Sequence, residues 1–299
     1  MHKEIDFEND IEQALTNTGG YEKGDPKAYD PETALFPAEA IAFVQKTQPK
    51  IWTRLTGLYA NKASVMLVDS LVKELASKGA LTVLREGFKC VGKTVRLAYF
   101  APNSGLDPLA AERYRDNRLT IVRQVNTRSG AIPDVVLAVN GLPVATLELK
   151  NPMSATRWNV ENAKYQYRFE RDPQELLFTF KKRCLVHFAV DTELAFMATK
   201  LEGKDTFFLP FNLGHTQGAG NPPADSDVRT TYLLAQGAHP RQPDGHPCAF
   251  HASGCGRKNG GNGKGDQAVQ QGIDDLSALS SAGFGARADR ARPDQRFGP

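Results

Sequence analysis

The stretch from Ile132 to Pro152, IPDVVLAVNGLPVATLELKNP, restricts the possible fold more than any other part of this chain. Two runs rich in Val, Leu and Ala flank Asn140-Gly141, a residue pair suited to the positive φ angles of a tight hairpin turn. LAVNGLPVATL carries no charge, so both runs read as strands buried on both faces. Asp134, Glu148 and Lys150 interrupt that apolar background, where an unpaired charge is costly. Such charges need a partner, and a metal ion would serve.

The three residues have the spacing D-x13-E-x-K across the hairpin. On a strand, Glu148 and Lys150 point to the same face. Whether Asp134 joins them depends on the turn. A two-residue Asn-Gly loop pairs Asp134 with Leu147, whereas a three-residue loop at 140–142 or a bulge pairs it with Glu148. We expect the odd-numbered loop, because it brings the carboxylates together. Exposed Asp, Glu and Lys are common on hairpins, and the apolar surroundings are what argue against that simpler reading. Two carboxylates would supply hard oxygen ligands for Mg²⁺, which polarises a phosphate and lowers the pKa of an attacking water. A compact cation beside them, Lys150, would orient that water and stabilise charge on phosphoryl oxygens.

Around this centre the periodicity changes along the chain. Phe7, Ile11, Ala14 and Leu15 recur at helical spacing. Residues 32–59 keep a helical pattern broken by Pro37 and Pro49, and 64–79 form an amphipathic helix stopped by Gly79. Residues 1–80 are thus expected to be a helical N-terminal part. From Leu81, two-residue alternation takes over around Gly turns, followed by a helix capped by Asp107 and a strand at 119–125. Residues 155–182 read as a helix interrupted at Pro173. CLVHFAVD, ELAFMATKL and DTFFLPFN return to strand, which makes 81–235 a mixed sheet with a helix across it. Near 236 both periods vanish into Gly, Ala, Arg, Pro and Asp, so 236–299 reads as an unstructured tail.

A net charge of +3, from 37 basic and 34 acidic residues, leaves any nucleic-acid contact to local clusters. Four cysteines, at 90, 184, 248 and 255, suit a reducing compartment better than a disulfide framework. No apolar run approaches the ~20 residues that span a bilayer, and the acidic, amphipathic start is unlike a signal peptide. A cytoplasmic protein with no membrane partner is expected.

DVVLAVNGLPVATLELKNP resembles the PD-(D/E)xK signature of the N-terminal nuclease domain in the R subunit of type I restriction enzymes. The inter-strand NGLP and trailing Asn-Pro come with the ionisable residues. The likeness extends through NRLTIVRQV, VHFAVDTELAFMATKL and TFFLPFNLGHTQGAGNPP, covering about residues 4 to 235. It implies an α/β fold with a restriction-endonuclease-like core, a mixed sheet flanked by helices. It also implies Mg²⁺-dependent hydrolysis of double-stranded DNA, with Asp134 and Glu148 binding metal and Lys150 serving the water. Partner methyltransferase (M) and specificity (S) subunits follow from the same resemblance. So does an ATP-driven translocase motor, which is not readable in this chain. In such a family an upstream helix often adds an acidic residue, and Glu8 is the best match, although a solvated helix face is the favoured reading of this residue. A Gln-x3-Tyr pair is common on the helix after the lysine. Here Gln166 is followed directly by Tyr167, and Gln166 is retained as an accessory candidate. Alternatives are a catalytically silent product that only binds partner subunits and a stand-alone repair nuclease of the same fold.

Two features of the tail tempt a functional reading. GGNGKGD at 260–266 fails as a phosphate loop, having Lys258 and Gly265 where Gly and Ser or Thr are needed. His246, Cys248, His251 and Cys255 do not match a familiar zinc spacing. A one-base frame shift near 236 would explain the whole segment. Codons can be chosen for 238–254 and for DLSALSSAGFGARAD that, shifted alike, yield family-like segments in the right order. On that reading the chain is truncated before the motor.

Overall fold

In the computed structural model, the residues described are 4–17, 19–101, 107–152, 159–214, 220–222 and 229–231. The tail features at 246–266 and the boundary near 236 lie outside them.

Helix α1 (Glu4–Asn17) is followed by a short strand β1 (Glu22–Lys23), which the sequence pattern did not reveal. Helices α2 (Pro37–Thr47) and α3 (Pro49–Tyr59) each begin at a proline. Pro lacks an N–H that the first helical turn does not need, and its fixed φ suits that position. The two prolines that break the sequence pattern are therefore helix starts. Helix α4 (Ala63–Lys78) ends at Gly79, whose φ of 83° lets the chain turn away.

Residues 81–86, expected from their alternation to open the sheet, instead belong to helix α5 (Ala80–Glu86). Ala80, Val83 and Leu84 are its buried residues, and their i, i+3, i+4 spacing defines a helix face that outweighs the short β-like run. Strands β2 (Phe88–Cys90) and β3 (Lys93–Val95) form a separate hairpin. Asp107 caps α6 (Pro108–Arg115) by accepting from the Ala110 N–H at 2.9 Å.

The main sheet follows with β4 (Leu119–Arg123), β5 (Val135–Val139) and β6 (Leu142–Leu149). Helix α7 (Val160–Phe169) crosses to β7 (Val186–Val190), and β8 (Ala195–Ala198) and β9 (Leu209–Pro210) complete it. Among the described residues of the expected 155–182 helix, the helical span is that of α7. Beyond it Asp172 accepts from the Gln174 N–H at 2.8 Å, and Pro173 cannot donate to a continuing helix. The seven strands are ordered β1-β4-β5-β6-β7-β8-β9, antiparallel except for the β1/β4 and β6/β7 pairs. The parallel β6–α7–β7 unit is a crossover, which places α7 on one face.

Alternation along the strands sends each face into its own core. Leu119, Ile121, Val135, Leu137, Leu147 and Leu149 pack with residues of α1 to α5. Val122, Val136, Ala138 and Ala189 pack with Val160, Ala163 and Tyr167 of α7. The chain is thus an α/β protein with a mixed sheet flanked by helices, and β5 and β6 are buried along their entire length. Among the described residues no helix is long and apolar enough to cross a membrane.

Candidate active site

The hairpin turn is the two-residue Asn140-Gly141 loop, with Val139 paired to Leu142 and φ angles of 49° and 82°. This corrects the expected three-residue loop. Tertiary packing decides the matter: the Asn140 side-chain amide donates to the Leu97 carbonyl at 2.8 Å and to Asn117 Oδ1 at 3.0 Å. Its oxygen accepts from the Arg118 N–H at 2.7 Å. The odd residue is supplied instead by a bulge. Leu137 pairs with Ala145 but Ala138 pairs with Pro143, leaving Val144 over. Beyond the bulge Val135 pairs with Leu147, and continuing that register sets Asp134 level with Glu148.

Asp134, Glu148 and Lys150 consequently share the face covered by α7. Asp134 Oδ2 accepts from the Leu149 N–H at 2.7 Å and lies 3.8 Å from Lys150 Nζ. The Lys150 side chain is almost wholly buried, whereas Asp134 is partly open to solvent. Glu148 is completely buried. Its Oε1 accepts from Arg171 Nε at 2.7 Å, while its Oε2 is buried with no hydrogen-bond partner. Burial, and next the Asp134 carboxylate, push the Glu148 carboxyl up to about 8, against the pull of Arg171 and Lys150.

Behind this set runs a buried polar chain. Thr146, two residues before Glu148 on the same strand face, shares hydrogen bonds with Tyr167 Oη at 2.9 Å and His187 Nδ1 at 2.8 Å. Burial drives the His187 pKa down to about 3, so its imidazole is neutral near pH 7. The chain fixes α7 against β6 and β7 directly beneath the carboxylates. Strand alternation could have singled out Thr146. Arg171, which follows α7 in a turn, carried no sequence signal.

The other two candidates, Glu8 on α1 and Gln166 on α7, differ in their hydrogen bonding. Glu8 is buried, but its carboxylate accepts from Arg123 Nε at 3.1 Å, with Arg123 Nη1 on Asn9 Oδ1 at 2.6 Å. Arg123 shares its strand face with Leu119 and Ile121, the side covered by α1 and away from α7. Gln166 has a buried Oε1 without a partner. Among the described residues no hydrogen bond or ion pair joins either residue to Asp134, Glu148 or Lys150.

The donor set suits a hard divalent cation. Two carboxylates meet at one end of a hairpin, one oxygen is buried and unmatched, and the mutual repulsion of the acids is what a cation would relieve. Among the described residues no three His, Cys, Asp or Glu gather into a cage.

The raised Glu148 pKa has a measurable consequence for the metal-free protein. The folded state holds this proton to about pH 8, whereas an unfolded carboxyl loses it near 4.5. Folded protein therefore binds more protons in that window, and its stability falls as pH rises through it. Below about 6.5 the buried neutral His187 acts in the opposite sense, so the window from about 6.5 to 8 isolates Glu148. Melting curves in EDTA should show a decline over this range that Glu148→Gln flattens. An equal slope in the variant would disprove Glu148 as its origin.

A protein-family model described as "Type I restriction enzyme R protein N terminus" matches residues 3–206, about two thirds of the chain. No curated protein matches it.

Proposed function

Because this chain belongs to the type I restriction enzyme R protein family, through the N-terminal region of that family, we propose that it hydrolyses DNA phosphodiesters with Mg²⁺. Asp134 and Glu148 would hold the cation and Lys150 would serve the attacking water. The observation that carries this reading is the convergence of Asp134, Glu148 and Lys150 on one face, with Glu148 Oε2 buried and unmatched. When bound, Mg²⁺ supplies Lewis acidity to a phosphoryl oxygen and acidifies a water.

The protein's own groups do the rest. Asp134 is locked by the Leu149 N–H, so its carboxylate does not wander, and Lys150 is held within 3.8 Å of it. The Lys150 ammonium positions the water for attack on phosphorus and balances charge gathering on the phosphoryl oxygens. Water forms one P–O bond and releases a proton to solvent as the bond to the leaving oxygen breaks, and the leaving oxygen takes up a proton. Glu8 acts as the buried counter-charge of Arg123 in this reading, and Gln166 has no assigned chemical step.

Double-stranded DNA is the proposed substrate, in a complex with methyltransferase and specificity subunits in the cytoplasm.

The direct test is supercoiled plasmid incubated with the purified chain and Mg²⁺, without ATP. Nicking and linearisation, abolished by EDTA, are expected. No cutting at any Mg²⁺ or Mn²⁺ concentration would sink the proposal in favour of a silent product that only binds its partners.

A further inference from the structure

We propose that Arg171 is a positioning residue that sets how the two carboxylates face a metal ion. The proposal rests on the reading of Asp134 and Glu148 as ligands. Arg171 Nε donates to Glu148 Oε1 at 2.7 Å, and its Nη2 donates to the Ile132 carbonyl at 3.2 Å. Ile132 lies two residues before Asp134. One guanidinium therefore ties the end of β6 that bears Glu148 to the chain segment that delivers Asp134. Their relative placement is fixed by a planar fork with two separate donors.

The fork also decides which Glu148 oxygen remains available. With Oε1 occupied, the carboxylate cannot turn freely, and Oε2 is the oxygen left without a partner. Arg171 is itself well anchored. Its side chain is largely screened from solvent, and the turn that carries it is stiffened by Pro173, by Asp172 Oδ1 accepting from the Gln174 N–H at 2.8 Å, and by the Asp172 carbonyl accepting from the Glu175 N–H at 3.0 Å. A residue supporting a ligand in this way typically accounts for about 10- to 100-fold in metal affinity.

The test is Mn²⁺ binding to the full chain, followed by electron paramagnetic resonance, alongside thermal melts and the Mg²⁺ dependence of plasmid cleavage. Wild-type chain should bind Mn²⁺, and Glu148→Gln should not. Arg171→Ala and Arg171→Lys should both weaken binding by roughly 10-fold or more. The Mg²⁺ needed for half-maximal cleavage should rise by a similar factor, with a smaller change in rate at saturation. Lysine keeps the charge but cannot span both acceptors, so a folded Arg171→Lys protein with wild-type Mn²⁺ affinity would overturn the proposal. It also carries the test if Arg171→Ala fails to fold. Lost thermal stability with unchanged affinity would equally overturn it and leave Arg171 a structural ion pair. Failure of wild-type chain to bind Mn²⁺ would instead remove the metal-site reading itself.

Discussion

Glu148→Gln and Asp134→Asn should each lower plasmid cleavage by about 10³-fold or more, a loss of roughly 4 kcal/mol of transition-state stabilisation. Both replacements keep the local hydrogen bonds. The amide oxygen of the introduced glutamine can still accept from Arg171, and that of the introduced asparagine can still accept from the Leu149 N–H. What disappears is the negative charge that makes the site a cation site, so the deficit should appear in cleavage with the fold retained. Lys150→Ala should cost about 10²- to 10³-fold, the range for removal of one preorganised stabilising group. Single-turnover cleavage under saturating Mg²⁺, paired with circular dichroism, separates chemistry from folding. Wild-type rates in all three variants would remove these residues from the mechanism.

Gly141→Ala should destabilise the whole protein by more than about 3 kcal/mol, from backbone strain and steric overlap together. The φ of 82° already disfavours an L side chain, and an added Cβ would lie 2.4 Å from the Phe36 carbonyl oxygen and 2.8 Å from the Ala40 nitrogen. Both obstacles are backbone at the start of α2 and cannot swing aside. The Phe36 N–H also donates to the Gly141 carbonyl at 2.8 Å, so moving the turn breaks that bond as well. A fall in melting temperature of about 6 °C or more is expected. Gly130→Ala is the control. Its φ is 80°, but its Cβ would meet nothing within 4 Å, so only the conformational cost of about 1–2 kcal/mol applies. Equal melting temperatures for the two variants would refute the role of the α2 contact.

The contrast between these glycines shows what a sequence can and cannot disclose. Asn140-Gly141 announces a turn because the needed φ angles belong to those residue types. That the turn is buried against α2 and held by Asn117 and Leu97 depends on segments distant along the chain. Lys150 and Glu148 were legible as a pair, since strand geometry fixes their common face. Asp134 stands level with Glu148, as the odd spacing predicts, but through a bulge rather than an odd-numbered loop, and a bulge has no strong signature in an apolar run such as LPVATL. Arg171 was invisible: one arginine among the charges of RFERDP differs from its neighbours only through the turn that aims it at Glu148. Glu8 illustrates the converse, an acid in a suggestive position whose charge Arg123 takes up on the other side of the sheet.

The surplus Val144 decides how the hairpin answers changes of length. Removing Val144 would leave a regular two-residue hairpin in which every other pair is kept, so Asp134 would still stand opposite Glu148 on the α7 side. Removing a second residue from β6 would set Asp134 level with Leu149 and turn Glu148 into the apolar layer beneath α1 to α5. The carboxylate pair is therefore compatible with two lengths of the segment, one with the bulge and one shorter by a single residue without it.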